Sequence, residues 1–260
     1  MSVINTIEWL KDTPNQIDIC KKLSTYFTDS NESEIAKYLH SFGMYKGKQQ
    51  HLDKWIDIQE KEKIFSFVRE EERKLQMEWN GPNIPIFIFP CDQNNRKIET
   101  EYKGRSGLAF KDKLFLFLSS ETLKIDIRAL FIHEYHHVCR LAALKKQEAK
   151  FTIIDTMILE GLAENAVREK MGERNVSSWT NLYSDNQCER FLERIINPQR
   201  DVIRENHKYT QLMFGTGLYP KMLGYAVGYY LVKNYMKQSG KTAKELLGTP
   251  AEVFFTHSKR

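Results

Sequence analysis

The chain has 260 residues, enough for one large domain or two small ones with a substantial core. It is 41% apolar and 28% charged, as is ordinary for a soluble globular protein. The net charge of +5 is modest, and bases alternate with acids, as in Arg69, Glu70, Glu71, Glu72, Arg73 and Lys74. No basic stripe marks a nucleic-acid binder.

The opening, MSVINTIEWLKDTPNQ, lacks a basic start followed by an apolar run, so no secretory leader is expected. Apolar residues then recur at helical spacing: Ile7 and Leu10; Ile35, Tyr38 and Leu39; Ile64, Phe65, Phe67 and Val68. KWIDIQEKEKIFSFVREEERKLQMEW reads as one long amphipathic helix with a charged outer face, stopped by Gly81-Pro82 and Pro85. A helical N-terminal region over 1–80 is therefore expected, followed by a domain over 81–260.

The middle reads as strands. IPIFIF, 84–89, is an apolar run ended by Pro90, and Gly104 and Gly107 punctuate the next stretch. LAFKDKLFLFLS, 108–119, offers two apolar runs around Lys111-Asp112-Lys113, a hairpin or two neighbouring strands. Helical periodicity then returns. One helix is expected over about 123–146, and a second over 152–171, ended by Gly172. After a polar segment, 173–186, come a helical stretch before Pro198 and a helix between Pro220 and Gly240. The tail holds a short helix and a turn at Thr249-Pro250. No apolar stretch is long enough to span a bilayer, and there is no internal repeat. A small sheet among many helices makes the class α+β. Cys20, Cys91, Cys139 and Cys188 lie far apart without a C-x-x-C pair. This spacing suggests thiols in a reducing cytoplasm, not a disulfide framework or a cysteine-zinc site.

The 123–146 helix carries FIHEYHHVC, 131–139. His133 and His137 are four residues apart, on one helix face, where their imidazoles can converge on one Zn²⁺. Glu134 is turned about 100° from His133. From there it can act as general base on a water activated by the metal. His136 does not fit the H-E-x-x-H register and is read as a packing or supporting histidine, and Cys139 as a small buried thiol. Leu130, Phe131, Val138 and Leu141 bury this helix, so unpartnered histidines would be costly there.

A catalytic zinc needs a third protein ligand, and MILEGLAENAV on the next helix offers Glu160. Its carboxylate lies among Met157, Ile158, Leu159 and Leu162 and wants a cation or a hydrogen-bonding partner. The alternative is a solvated surface carboxylate. Glu164, one turn on, is placed to accept the second ring N–H of a ligand histidine. Gly161 and Ala163 leave room for a close helix, and Asp155 is the reserve ligand.

H-E-x-x-H followed by E-G-x-A resembles the gluzincins, the thermolysin-like and aminopeptidase-like zinc peptidases. Within them, HEYHHV, LEGLAEN and GYAVGYYLV look like the YjaZ-like family of predicted Zn-dependent proteases, over about 80–256. IEWL, IC and GMYKG near the start fit the same pattern. The resemblance implies a zincin-like fold, with a small mixed sheet beside the H-E-x-x-H helix. It implies His133, His137 and Glu160 as zinc ligands, Glu134 as base and Glu164 as the acidic supporting position. The 22 residues between His137 and Glu160 exceed the spacing in aminopeptidases of similar pattern. No G-A-M-E-N-like motif supports aminopeptidase activity. Gluzincins also supply a Tyr or His to the oxyanion. Tyr219, Tyr225, Tyr229 and His207 are available, and Tyr225, between Gly224 and Gly228, is chosen. Its alternative is an aromatic core stripe.

The expected activity is zinc-dependent peptide hydrolysis on a peptide or protein substrate, without nucleic acid or membrane as partner. The other reading is a catalytically inactive, zinc-stabilised protein that binds a partner. The intact Glu134 and a count of only three ligands speak against it.

Overall fold

The computed structural model describes residues 2–46 and 52–256. Gly47 of GMYKG and the last residues of the tail, from His257 on, lie outside this description. The chain is mostly helical with one small sheet, an α+β architecture. It divides into two compact units, Met1–Val138 and Cys139–Arg260.

The first unit opens with α1 (Thr6–Asp12), α2 (Gln16–Leu23) and α3 (Glu32–Ser41). Asn31 and Glu34 close a capping box at the start of α3, satisfying backbone N–H groups that the first helical turn leaves open. Then come α4 (Leu52–Lys61) and α5 (Ile64–Trp79). The sequence predicts one helix here. The structure has two, separated by Lys63 in the left-handed region at φ 54°. The reason is the phase of the apolar stripe. At 100° per residue, Trp55, Ile56 and Gln59 would point about 160° away from Ile64, Val68, Leu75 and Trp79 in an unbroken helix. The break lets both groups be buried.

Next come β1 (Ile86–Pro90), α6 (Arg96–Glu101), β2 (Arg105–Ala109) and β3 (Leu114–Leu118). The sheet order is β1-β3-β2, with β1 parallel and β2 antiparallel to β3. β1 and β3 are buried throughout, which explains their continuous apolar runs. Phe87 and Phe115 stack across them with centroids 4.9 Å apart. The 108–119 hairpin forms as expected, but β2 begins earlier and includes Gly107. α6 was not anticipated.

α7 (Lys124–Ala143) carries the histidine motif. In the second unit, α8 (Ile153–Met171) starts at a capping box of Thr152 and Asp155 and stops at Gly172, φ 82°. α9 (Asp185–Phe191) continues into a π-turn, Leu192–Ile196. α10 (His207–Phe214), also unanticipated, precedes α11 (Leu223–Ser239) and α12 (Ala251–Thr256). α8 and α11 pack glycine to glycine. A Cβ on Gly161 would stand 2.9 Å from Tyr229 N, and one on Gly228 would stand 2.7 Å from the Met157 carbonyl carbon. Asn165 seals the crossing, its Nδ2 donating to Gly161 O at 2.8 Å and Tyr229 O at 3.2 Å. Arg140, fully buried, donates to the carbonyls of Leu246, Leu247 and Thr249 and holds the chain before α12. Among the described residues no helix is long and apolar enough to cross a membrane.

Candidate metal centre

α7 is fixed by its aromatic face. Phe131 and Tyr135 stack at 5.6 Å, and the Tyr135 hydroxyl donates to Pro82 O at 2.9 Å. His136 is fully buried, its ring edge-on to Trp79 at 5.3 Å. That face of α7 is thus committed to packing. One residue on, the rings of His133 and His137 meet edge to face with centroids 4.5 Å apart, as the four-residue spacing requires.

His133, His137 and Glu160 form a group that can hold a metal ion. Each offers one ligand atom, and these atoms all lie within 4.8 Å of one another. Two imidazoles and a carboxylate are the donors that zinc accepts, with bonds near 2.0–2.2 Å that draw ligands to roughly 3.5 Å apart. The donor chemistry of the residues present therefore fits the ion. His136 and Cys139, both buried, are not in the group.

Glu134 is buried, and its neighbour is the sheet. Gly107 of β2 lies so close that a Cβ built there would stand 2.5 Å from both Cδ and Oε1 of Glu134. β2 is held at this height by Arg105, whose Nη1 meets Asp126 on the first turn of α7 at 2.8 Å, with Lys103 on the same carboxylate at 3.0 Å. The sequence marks Gly107 only as punctuation. The structure places it inside β2, where glycine weakens the strand unless something approaches closely.

Glu164 is buried and accepts the backbone N–H of Ser177. Asp155, the reserve ligand, is committed elsewhere: it caps α8 through Thr152 and pairs with Lys146 Nζ at 2.6 Å. Tyr225 packs on Trp179 at 5.3 Å and Phe214 at 5.5 Å, within the aromatic cluster that includes Tyr229. A residue the sequence did not single out is Tyr209. Its hydroxyl donates to Thr156, one turn before Glu160 on α8. Burial pushes its pKa up, and the Glu160 charge adds to the rise. All four cysteines are buried thiols, and burial pushes Cys20, Cys91 and Cys188 to about 12.

Two histidines on one helix face, with a carboxylate completing the donor set, make a group that could hold a divalent metal ion. The chain belongs to the family described as "Predicted Zn-dependent protease (DUF2268)", whose profile matches residues 64–256. It is 40% identical over 257 residues to "Uncharacterized protein YjaZ" of Bacillus subtilis (strain 168), covering 98% of each chain. It is 26% identical over 219 residues to "Uncharacterized protein YjfC" of the same organism, covering 80% of this chain and 71% of that one.

Proposed function

We propose that the protein is a zinc metallopeptidase of the gluzincin kind. His133, His137 and Glu160 hold the ion, and Glu134 is the general base. The observation that carries this reading is the convergence of the three donors within 4.8 Å, with Glu134 next to His133 on α7. When bound, zinc supplies the Lewis acidity that polarises a carbonyl and acidifies water. Glu134 takes the proton of the attacking water on a carboxylate oxygen and delivers it to the leaving amine. Tyr225 is assigned the oxyanion contact. Its helix, α11, meets α8 at Gly161, the neighbour of Glu160, which supports that assignment.

A peptide substrate is favoured by β2, which is the edge of the sheet among the described residues. Phe110 N donates to Lys113 O and Ser119 N to Gly104 O, so the bonded pairs with β3 fall on even-numbered residues of β2. The N–H and C=O of Gly107 therefore point away from β3, beside Glu134. An extended peptide can add to such an edge as a further strand. The buried thiols are consistent with a cytoplasmic setting.

The test is bound-metal stoichiometry together with cleavage of a peptide library. Wild type should bind one zinc, and Glu160→Ala should lose it. Glu134→Gln should keep zinc and lose turnover by about 10²–10⁴-fold. A fully active Glu134→Gln protein overturns the mechanism, and a fully loaded Glu160→Ala protein overturns the ligand set.

A further inference from the structure

We infer that Gly107 is a positioning residue: its missing side chain reserves the space in which the Glu134 carboxylate sits. The inference rests on Glu134 being the base proposed above. Three observations carry it.

First, Gly107 lies inside β2 and has no left-handed backbone angle. Its φ is open to any L residue, so the conformation does not explain the glycine. A strand-interior glycine otherwise weakens the strand relative to alanine. Second, the three nearest atoms that a Cβ would meet all belong to one side chain, Glu134, with Cδ and Oε1 both at 2.5 Å. Nothing from the sheet or from the α7 backbone is among them. Third, β2 has no slack to retreat. It is in register with buried β3 along its whole length, Arg105 to Ala109, and it is tied to α7 by the Arg105–Asp126 pair at 2.8 Å, in which both side chains are largely buried.

A methyl group at 107 therefore has one outlet. The tip of Glu134 is the flexible partner, and it moves while β2 and α7 stay. Gly107 thus serves the reacting carboxylate rather than the fold. Zinc is not needed for this contact, because the crowding involves only protein atoms.

The experiment compares wild type, Gly107→Ala, Glu134→Gln, Gly107→Ala/Glu134→Asp and Gly107→Ala/Glu134→Ala. In a metal-free crystal structure of Gly107→Ala, the carboxylate of Glu134 should be displaced by about 1 Å or more, with the backbones of β2 and α7 superposing on wild type. A misplacement of that size lowers rate about 10²-fold. So kcat on a peptide cleaved by wild type should fall by that factor, with KM and zinc content unchanged. Shortening the side chain should relieve the crowding, so the Gly107→Ala/Glu134→Asp protein should exceed the activity of Gly107→Ala.

A Glu134 carboxylate left in place with β2 pushed away overturns the inference, and so does an unaltered kcat. Should Gly107→Ala fail to fold, the Gly107→Ala/Glu134→Ala protein decides. Folding restored by removing the carboxylate supports the reserved space, and failure of both overturns it. If Glu134→Gln is as active as wild type, the base assignment fails by itself, while the crystal structure still reports what Gly107 makes room for.

Discussion

Glycine brings two parts of the molecule close in two different ways. At the α8–α11 crossing, Gly161 and Gly228 bring backbone against backbone: the atoms in the way of a Cβ are Gly228 O and C, Tyr229 N, and the main chain of Met157. At β2, the atoms in the way belong to the end of one charged side chain, Glu134. The first contact has nowhere to give, because moving a helix backbone disturbs every neighbour packed on it. The second gives easily, but what moves is the group expected to do the chemistry. The same substitution should therefore harm folding at one site and function at the other.

The largest expected effect tests the structural half. Gly161→Ala should destabilise the fold by about 3 kcal/mol, the upper end of ordinary overpacking. Urea unfolding would show this as a lowered midpoint. A change under about 1 kcal/mol would mean that the helices separate without penalty and that the two glycine contacts do not differ in kind. Asn165 refines the point. Its amide bonds a carbonyl on each helix at the crossing, at 2.8 and 3.2 Å, and it is fully buried. Asn165→Leu should cost about 2 kcal/mol, because two buried carbonyls lose a donor and a bulkier chain enters a tight site. Metal content at saturating zinc should be unaltered in the folded fraction of either variant.

The two contacts were not equally legible in the sequence. Gly161 in LEGLAEN invites a close helix, because Met157, Ile158, Leu159 and Leu162 surround it with bulk. The histidine pair and Glu160 were likewise readable, since helical spacing alone puts His133 and His137 on one face and a carboxylate amid apolar residues needs a partner. Gly107 was not readable, because its neighbour in space, Glu134, is 27 positions away and reaches it only through tertiary packing. The break at Lys63 lies between these cases. No glycine or proline marks it, yet the apolar stripe changes phase between Gln59 and Ile64, and that change was in the letters. α6 and α10 were missed for another reason: they are short and capped by Asn95 and Asn206 rather than announced by a long apolar period.

The smallest expected effect carries the distinction from volume to charge, at two adjacent carboxylates of α5. Glu71 and Glu72 are both buried. Burial raises the pKa of each, but Arg128 and Lys74 bond Glu71 and bring it net below its ordinary 4.5. Glu72, bonded by the Ser2 hydroxyl, remains net above 4.5, because burial outweighs its partners. The signs are therefore opposite. Ionised Glu71 adds stability above pH 4.5, and that contribution fades as acid protonates it at lower pH. Ionised Glu72 detracts from stability above its raised pKa, and the penalty disappears as pH falls through it. At pH 7, Glu71→Gln should lose about 1.5 kcal/mol, the worth of hydrogen bonds to a charged group. Glu72→Gln should be at least as stable as wild type, since the amide can keep the Ser2 contact without a buried charge. Urea midpoints of both variants against pH should approach wild type from opposite sides on acidification. Both curves on the stabilised side would mean that the partners of Glu71 do not outweigh its burial, and both on the destabilised side would mean that burial of Glu72 does not outweigh its Ser2 contact and nearby bases.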